Sequence, residues 1–243
     1  KGKPAGAPAS YRPVSLTSTV GKLFERVITK RLGFFCENAG ILPEYQSAYR
    51  PGRSTEDLVH RVAQSVADGF ELKVRYRDPP QRSLLLLIDF SAAFDTVWHQ
   101  GLLLKLLQLG IPARFVRWIR SFLTNRLSQV RLGNTLSRAR VFRAGVPQGS
   151  VISPLLFLLY TSDLPGPLNP VNTYMYADDL AHFVSDSDND VAEEECQRLG
   201  QEVANWSADW LLGINFGKCE TFHFTPDPRE IKRVKPAIQL SGQ

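Results

Sequence analysis

The chain has 243 residues, 43% of them hydrophobic, and 29 Lys+Arg against 24 Asp+Glu give a formal net charge of +5. That suffices for a sizeable core in one large domain or two packed lobes, and no run approaches the roughly 18 apolar residues of a membrane span. The three cysteines, Cys36, Cys196 and Cys219, are too scattered for a disulfide or metal framework, which points to a reducing, intracellular setting rather than secretion.

The charge is segregated. Residues 101–150 hold nine basic residues and no acidic one, whereas residues 151–243 hold 14 acidic residues against 6 basic. A polyanion track in one part and cation-binding carboxylates in another is the expectation. The chain opens on Lys1 and its one methionine is Met175, so it reads as a piece of a longer polypeptide.

Residues 1–10 are rich in Gly and Pro and read as a linker or loop. Residues 11–16 are a short strand candidate carrying Arg12. The spacing of Val20, Leu23, Phe24, Val27, Ile28 and Leu32 predicts a helix from Thr17 or Ser18 to just before Gly40. Those apolar positions are expected inward and the basic ones, Lys22, Arg26, Lys30 and Arg31, outward. Residues 46–55 form a loop ending in Ser54-Thr-Glu-Asp57, a capping-box start. Arg50 and Arg53 thus precede a helix N-terminus, where main-chain donors favour phosphate. Leu58, Val59, Val62, Val66 and Phe70 mark that helix, and residues 71–83 read as a charged surface insertion.

Leu84 to Ile88 is a buried-type strand that delivers Asp89 at its C-terminal end, with Asp95 beyond it as a helix N-cap. Helices over 102–109 and 113–123 follow. On the second, Arg114, Arg117 and Arg120 recur every third residue and share a face suited to a phosphate backbone. A Gly133-Asn134 turn centres a basic hairpin in residues 128–141. A Gly-rich loop, residues 144–153, feeds a helix with Pro154 at its first position. Asn189 or Asp190 caps a long helix with Leu199, Val203, Trp206 and Trp210 inward, and residues 219–224 make a last strand. His99 and His182 have no partner constellation and read as structural.

Residues 172–184 read as a β-hairpin with Asp178 and Asp179 at its tip. Adjacent carboxylates on a tight turn are unfavourable unless a cation lies between them, and hard oxygens suit a divalent ion. A solvated acidic turn is the bland alternative; Asp89 upstream, leaving a core strand, tips the balance toward a metal site.

In order, Tyr11-Arg-Pro-Val-Ser-Leu16, Gln46 with Arg50-Pro-Gly-Arg-Ser-Thr55, Ile88-Asp-Phe-Ser-Ala-Ala-Phe-Asp95, Gly145-Val-Pro-Gln-Gly-Ser150, Tyr176-Ala-Asp-Asp179 and Asn215-Phe-Gly-Lys218 resemble the consecutive motifs of reverse transcriptases of the non-LTR (LINE-type) retrotransposon class. Ala48 and Tyr49 depart from the Gly and Phe usual there. The resemblance implies an α+β right-hand polymerase: fingers mainly in residues 11–83, a palm with an antiparallel sheet backed by helices mainly in 84–225, and the start of a thumb connection in 226–243. It implies an RNA-directed DNA polymerase that copies an RNA template from a DNA primer with dNTPs, within a retrotransposon polyprotein with further domains, acting inside the cell at nuclear DNA and not on a membrane.

By the same resemblance Asp89, the carbonyl of Phe90 and Asp178 bind two Mg²⁺, which Mn²⁺ can replace, and Asp179 assists. Arg12, Phe94, Gln148, Gly149 and Lys218 serve the incoming nucleotide, Phe94 as a floor under its sugar and Lys218 as an acid toward pyrophosphate. Arg50 and Arg53 serve template phosphates. A domesticated or decayed element that only binds nucleic acid, and a metal-dependent phosphohydrolase using the same carboxylates, are the rival readings.

Overall fold

The computed structural model describes residues 14–71, 82–166 and 172–225. Arg12, residues 11–13 of the strand expected there, residues 72–81 of the expected insertion and residues 226–243 lie outside them, and residues 14–16 form no strand. Contacts divide the chain into two discontinuous units, Lys1–Ile41 with Phe94–Tyr160 and Leu42–Ala93 with Thr161–Gln243.

The second unit holds the sheet. The run of four leucines and Ile88 forms strand β1 (Arg82–Asp89), the hairpin forms β6 (Thr173–Tyr176) and β7 (Asp179–Asp186), and β8 is Glu220–Phe224. They pair antiparallel in the order β6-β7-β1-β8, with Leu85 opposite Phe183 and Asp89 opposite Asp179. Alternation along β1 splits its apolar run between two faces. On one, Leu85, Tyr174 and Phe183 make a cluster met by Leu58, Val62 and Val66 of helix α2 (Thr55–Glu71). Val59, another of the apolar positions that mark α2, is exposed. Gly69 lets α2 approach, since a Cβ there would stand 2.7 Å from the Ser83 hydroxyl. Helix α7 (Asn189–Asp209) packs on β1 and β7 and buries Ala192, Cys196, Leu199, Val203 and Trp206, a helical stripe. Its N-cap is Asp188, whose side chain takes the Asp190 N–H, rather than the expected Asn189 or Asp190.

The capping box is present: Asp57 N–H donates to Ser54 Oγ at 3.1 Å and Ser54 N–H to Asp57 Oδ2 at 2.9 Å.

The first unit is mainly helical: α1 (Thr19–Asn38), α4 (His99–Gln108), α5 (Ala113–Leu123) and α6 (Ser153–Tyr160), with the short α3 (Ala93–Thr96) at its border. Two exposed ribbons, β2 (Leu127–Ser128) with β5 (Arg140–Val141) and β3 (Arg131–Leu132) with β4 (Thr135–Leu136), realise the hairpin about Gly133. Helix α6 is buried along its length, and Lys105 of α4, itself buried, donates its ammonium to the Tyr160 carbonyl at 2.5 Å, where a cation suits the last turn of a helix.

Helix α1 begins at its expected cap, Ser18, but buries a different face. Val20, Leu23, Phe24 and Val27 are exposed, while Glu25, Leu32 and Cys36 are buried. Periodicity marks an apolar stripe and not what covers it. The inward place at residue 25 goes to a carboxylate because main-chain donors of the 150–152 loop need an acceptor there.

Candidate active site

The carboxylate end of the sheet lies within the second unit. Asp89 ends β1 and Asp179 begins β7 directly opposite, so both side chains stand on the face that carries Leu85 and Leu87. The hairpin turns through Ala177 and Asp178. Asp178 is half-buried and Asp179 exposed. Burial, then Asp178, then Asp89 push the Asp179 carboxyl above its ordinary value, and Lys218 pulls it back. The Lys218 ammonium, on the 3₁₀ turn Phe216–Lys218, lies 3.2 Å from Asp89 Oδ2 and 3.4 Å from Oδ1. A protein cation therefore rests on Asp89, whose partner across the strand pair is the carboxylate Asp179.

The main chain about Phe90 is paired on the side of β1 away from β7. Asn215 N–H donates to the Asp89 carbonyl at 2.8 Å and Ser91 N–H to the Gly213 carbonyl at 2.7 Å. These bonds take the groups that face away from β7. Strand alternation then turns the Phe90 carbonyl toward β7, the strand that follows Asp178.

The Gln148 loop lies within the first unit. Gln148 Nε2 donates to Asp95 Oδ2 at 2.9 Å, and the Ser15 N–H donates to the Gln148 carbonyl at 2.7 Å. Asp95 sits inside α3 rather than capping a helix; burial pushes its carboxyl up, and the Gln148 bond counters only part of this. His99 bonds through Nε2 to the Gly145 carbonyl at 2.8 Å. Gly145, at φ 85°, has no alternative, because a Cβ would come within 2.6 Å of the Asp95 carbonyl oxygen. Gly149 is exposed at φ 99°. The loop continues into Ser150, whose hydroxyl donates to Glu25 Oε2 at 2.5 Å, with Val151 N–H on the same oxygen at 2.7 Å. Phe94 stacks on Phe157 at 4.7 Å between centroids and 19° between planes, and is half-buried.

Comparison with known proteins agrees with this chemistry. Residues 1–237 match the family model described as "Reverse transcriptase (RNA-dependent DNA polymerase)". The chain is 37% identical over 99% of its length to the probable RNA-directed DNA polymerase from transposon BS of Drosophila melanogaster, covering 26% of that protein. It is 36% identical over 96% to the corresponding X-element protein of the same species, again covering 26% of it. The chain belongs to the reverse transcriptase family.

This reverse transcriptase domain thus spans about a quarter of those relatives. Apo telomerase from Candida tropicalis resembles it in fold, with a TM-score of 0.58 at 10% identity over 85% of this chain and 37% of the telomerase chain. That likeness supports the expected fingers-and-palm class.

The donor chemistry of this reverse transcriptase suits a divalent cation. Among the described residues no three or more His, Cys, Asp and Glu side chains are grouped to hold a metal ion. What is available is carboxylates with a main-chain carbonyl, and Mg²⁺ is commonly held by one or two carboxylates, with water and phosphate oxygens completing the octahedron. The residues fit the group.

Arg114, Arg117 and Arg120 are all exposed on α5. Arg117 and Arg120 line a cleft of about 460 Å³ with Ser121, Thr124 and Asn125. Arg50 and Arg53 have a task inside the second unit: their guanidinia donate to carbonyls of Pro43, Glu44 and Gln46.

Two residues that sequence reasoning missed hold these loops, Gln46 for the hairpin tip and Glu25 for the Gln148 loop. Gln46 was legible as part of a motif but not in its role, and a Glu among basic helix residues carries no signal.

Proposed function

We propose that this domain is the catalytic core of an RNA-directed DNA polymerase that extends a DNA primer on an RNA template and uses two Mg²⁺ ions. The observation that carries the reading is the pairing of Asp89 with Asp179 beside the Asp178 turn, in which each carboxylate raises the demand for a cation. Asp89, the Phe90 carbonyl and Asp178 would hold the ions. When bound, Mg²⁺ activates the primer 3′-hydroxyl and neutralises triphosphate charge.

The chain's own residues do the rest. Lys218 keeps Asp89 paired before the cations arrive and then has an ammonium proton at Nζ to deliver toward the departing pyrophosphate. Gln148, oriented by Asp95, and Gly149, which is exposed at a φ that favours glycine, line the nucleotide pocket. Phe94, held on one ring face by Phe157, offers the other to the sugar. Arg12 grips the triphosphate, for which a planar guanidinium is well shaped. The exposed arginines of α5, and Arg50 and Arg53 beyond their loop contacts, draw template phosphates. The full polypeptide works inside the cell at nuclear DNA, in keeping with its free cysteines.

Primer extension on an RNA template, with Asp178→Asn alongside, tests this. An amide keeps the shape but supplies no charge, so extension should fall by several orders of magnitude with the fold intact. Near wild-type extension by the variant refutes the metal assignment. Wild-type binding of primer-template with no extension at any Mg²⁺ or Mn²⁺ concentration would favour a module that only binds nucleic acid.

A further inference from the structure

The turn that carries Asp178 does not hold itself. Ala177 has φ 57°, a left-handed conformation that a residue with a Cβ keeps only where its surroundings impose it. The constraint comes from Gln46, 131 residues upstream. Its side chain, 1% exposed, spans both main-chain groups of Ala177: Oε1 accepts the Ala177 N–H at 3.1 Å and Nε2 donates to the Ala177 carbonyl at 3.2 Å. Oε1 also takes the Ala48 N–H at 3.0 Å. Two main-chain donors converge on one end of the amide and a carbonyl on the other, which sets its orientation without ambiguity.

The clamp is itself braced. Met175 N–H donates to the Tyr45 carbonyl and Ser47 N–H to the Met175 carbonyl, both at 2.9 Å, so the Gln46 backbone runs parallel beside β6 and covers that sheet edge. From the other side the Gln46 carbonyl accepts from Arg50 Nη1 at 3.2 Å and Arg53 Nη1 at 3.3 Å. Arg50 also grips the Pro43 carbonyl at 2.7 Å and Arg53 that of Glu44 at 2.5 Å. Next along, Tyr49 is held at φ 55°. The segment therefore meets the carboxylate turn at its main chain.

We propose that Gln46 is a positioning residue for metal binding: its amide holds the Ala177 turn so that Asp178 is aimed before any cation arrives. This rests on the reading of Asp178 as a metal ligand. It makes a local prediction that mere structural support does not, because loss of the amide should weaken the cation site while leaving the sheet paired.

The test uses the full polypeptide that carries this domain. Gln46→Met fills similar volume and removes all three side-chain hydrogen bonds. Gln46→Glu keeps the acceptor for Ala177 and Ala48 and loses the donor. The probe is Mn²⁺ titrated without primer or nucleotide and followed by electron paramagnetic resonance, the site being defined as the one lost in Asp178→Asn. Gln46→Met should weaken that site about tenfold or more, in the range typical of residues that orient metal ligands, with Gln46→Glu between it and wild type. Amide exchange should accelerate around residues 45–49 and 175–180 and not elsewhere in the sheet. In primer extension the Mg²⁺ concentration for half-maximal rate should rise, with high Mg²⁺ recovering much of the rate.

Unchanged Mn²⁺ affinity in a folded Gln46→Met overturns the proposal, as does lost activity with an unshifted metal dependence. Should Gln46→Met fail to fold, Gln46→Glu decides by the same shift. A wild type that binds no Mn²⁺ at an Asp178-dependent site would instead sink the metal reading itself.

Discussion

Glu25 offers the sharpest test of how the Gln148 loop is held. It is 2% exposed, and one oxygen receives the Ser150 hydroxyl at 2.5 Å, the Val151 N–H at 2.7 Å and, more weakly, the Ile152 N–H at 3.4 Å. Its charge also favours the charged form of Arg126, which burial opposes. Glu25→Ala strands two well-bonded donors in a buried place. At about 1–3 kcal/mol for each unsatisfied group, the loss should be about 3–5 kcal/mol. Glu25→Gln keeps a neutral acceptor and should cost about 1–2 kcal/mol, the difference between a charge-assisted and an ordinary hydrogen bond. For a domain of this size the alanine variant should melt about 10 °C lower. Because Gln148 and Gly149 immediately precede Ser150, KM for dNTP should rise in both variants, with the metal dependence of the rate unmoved. Thermal denaturation and steady-state primer extension read the two effects. An alanine variant within 1 kcal/mol of wild type would refute the anchoring role.

Phe94→Val should open the floor of the sugar pocket and raise ribonucleotide use relative to dNTP by at least tenfold in kcat/KM; an unchanged ratio in a folded variant would make Phe94 a packing residue for Phe157. Replacing Arg114, Arg117 and Arg120 together by Ala should weaken primer-template binding and flatten its slope against log salt by about two to three units, read by fluorescence anisotropy; an unchanged slope would remove the track. His182 is fully buried, with Arg198 and Glu195 of α7 as its charged neighbours, and burial followed by Arg198 lowers its pKa from 6.5 to about 4. The unfolded chain then takes up a proton that the folded one refuses, so stability present above pH 6.5 should decline by roughly 3 kcal/mol as pH falls to about 4. His182→Leu should remove that part of the decline, and an unaltered acid profile would contradict it.

Sequence alone determined the parts of this reverse transcriptase domain that rest on neighbours a few residues apart. The apolar run before Asp89, the hairpin at Ala177 and Asp178, the Ser18 cap and the Ser54–Asp57 box all formed as their local chemistry dictates. The carboxylates were legible for the same reason, since strand and turn together dictate where they emerge. Only the tertiary structure decided which face of α1 is buried, because an apolar stripe on Val20, Leu23, Phe24 and Val27 says nothing of what lies against it, whereas Glu25 is drawn inward by donors 125 to 127 residues away. The same holds for Gln46 and Ala177. A side-chain amide that meets a distant main chain leaves no periodicity and no spacing to read, so such pairings become visible only once the chain has folded and buried main-chain donors have taken their acceptors.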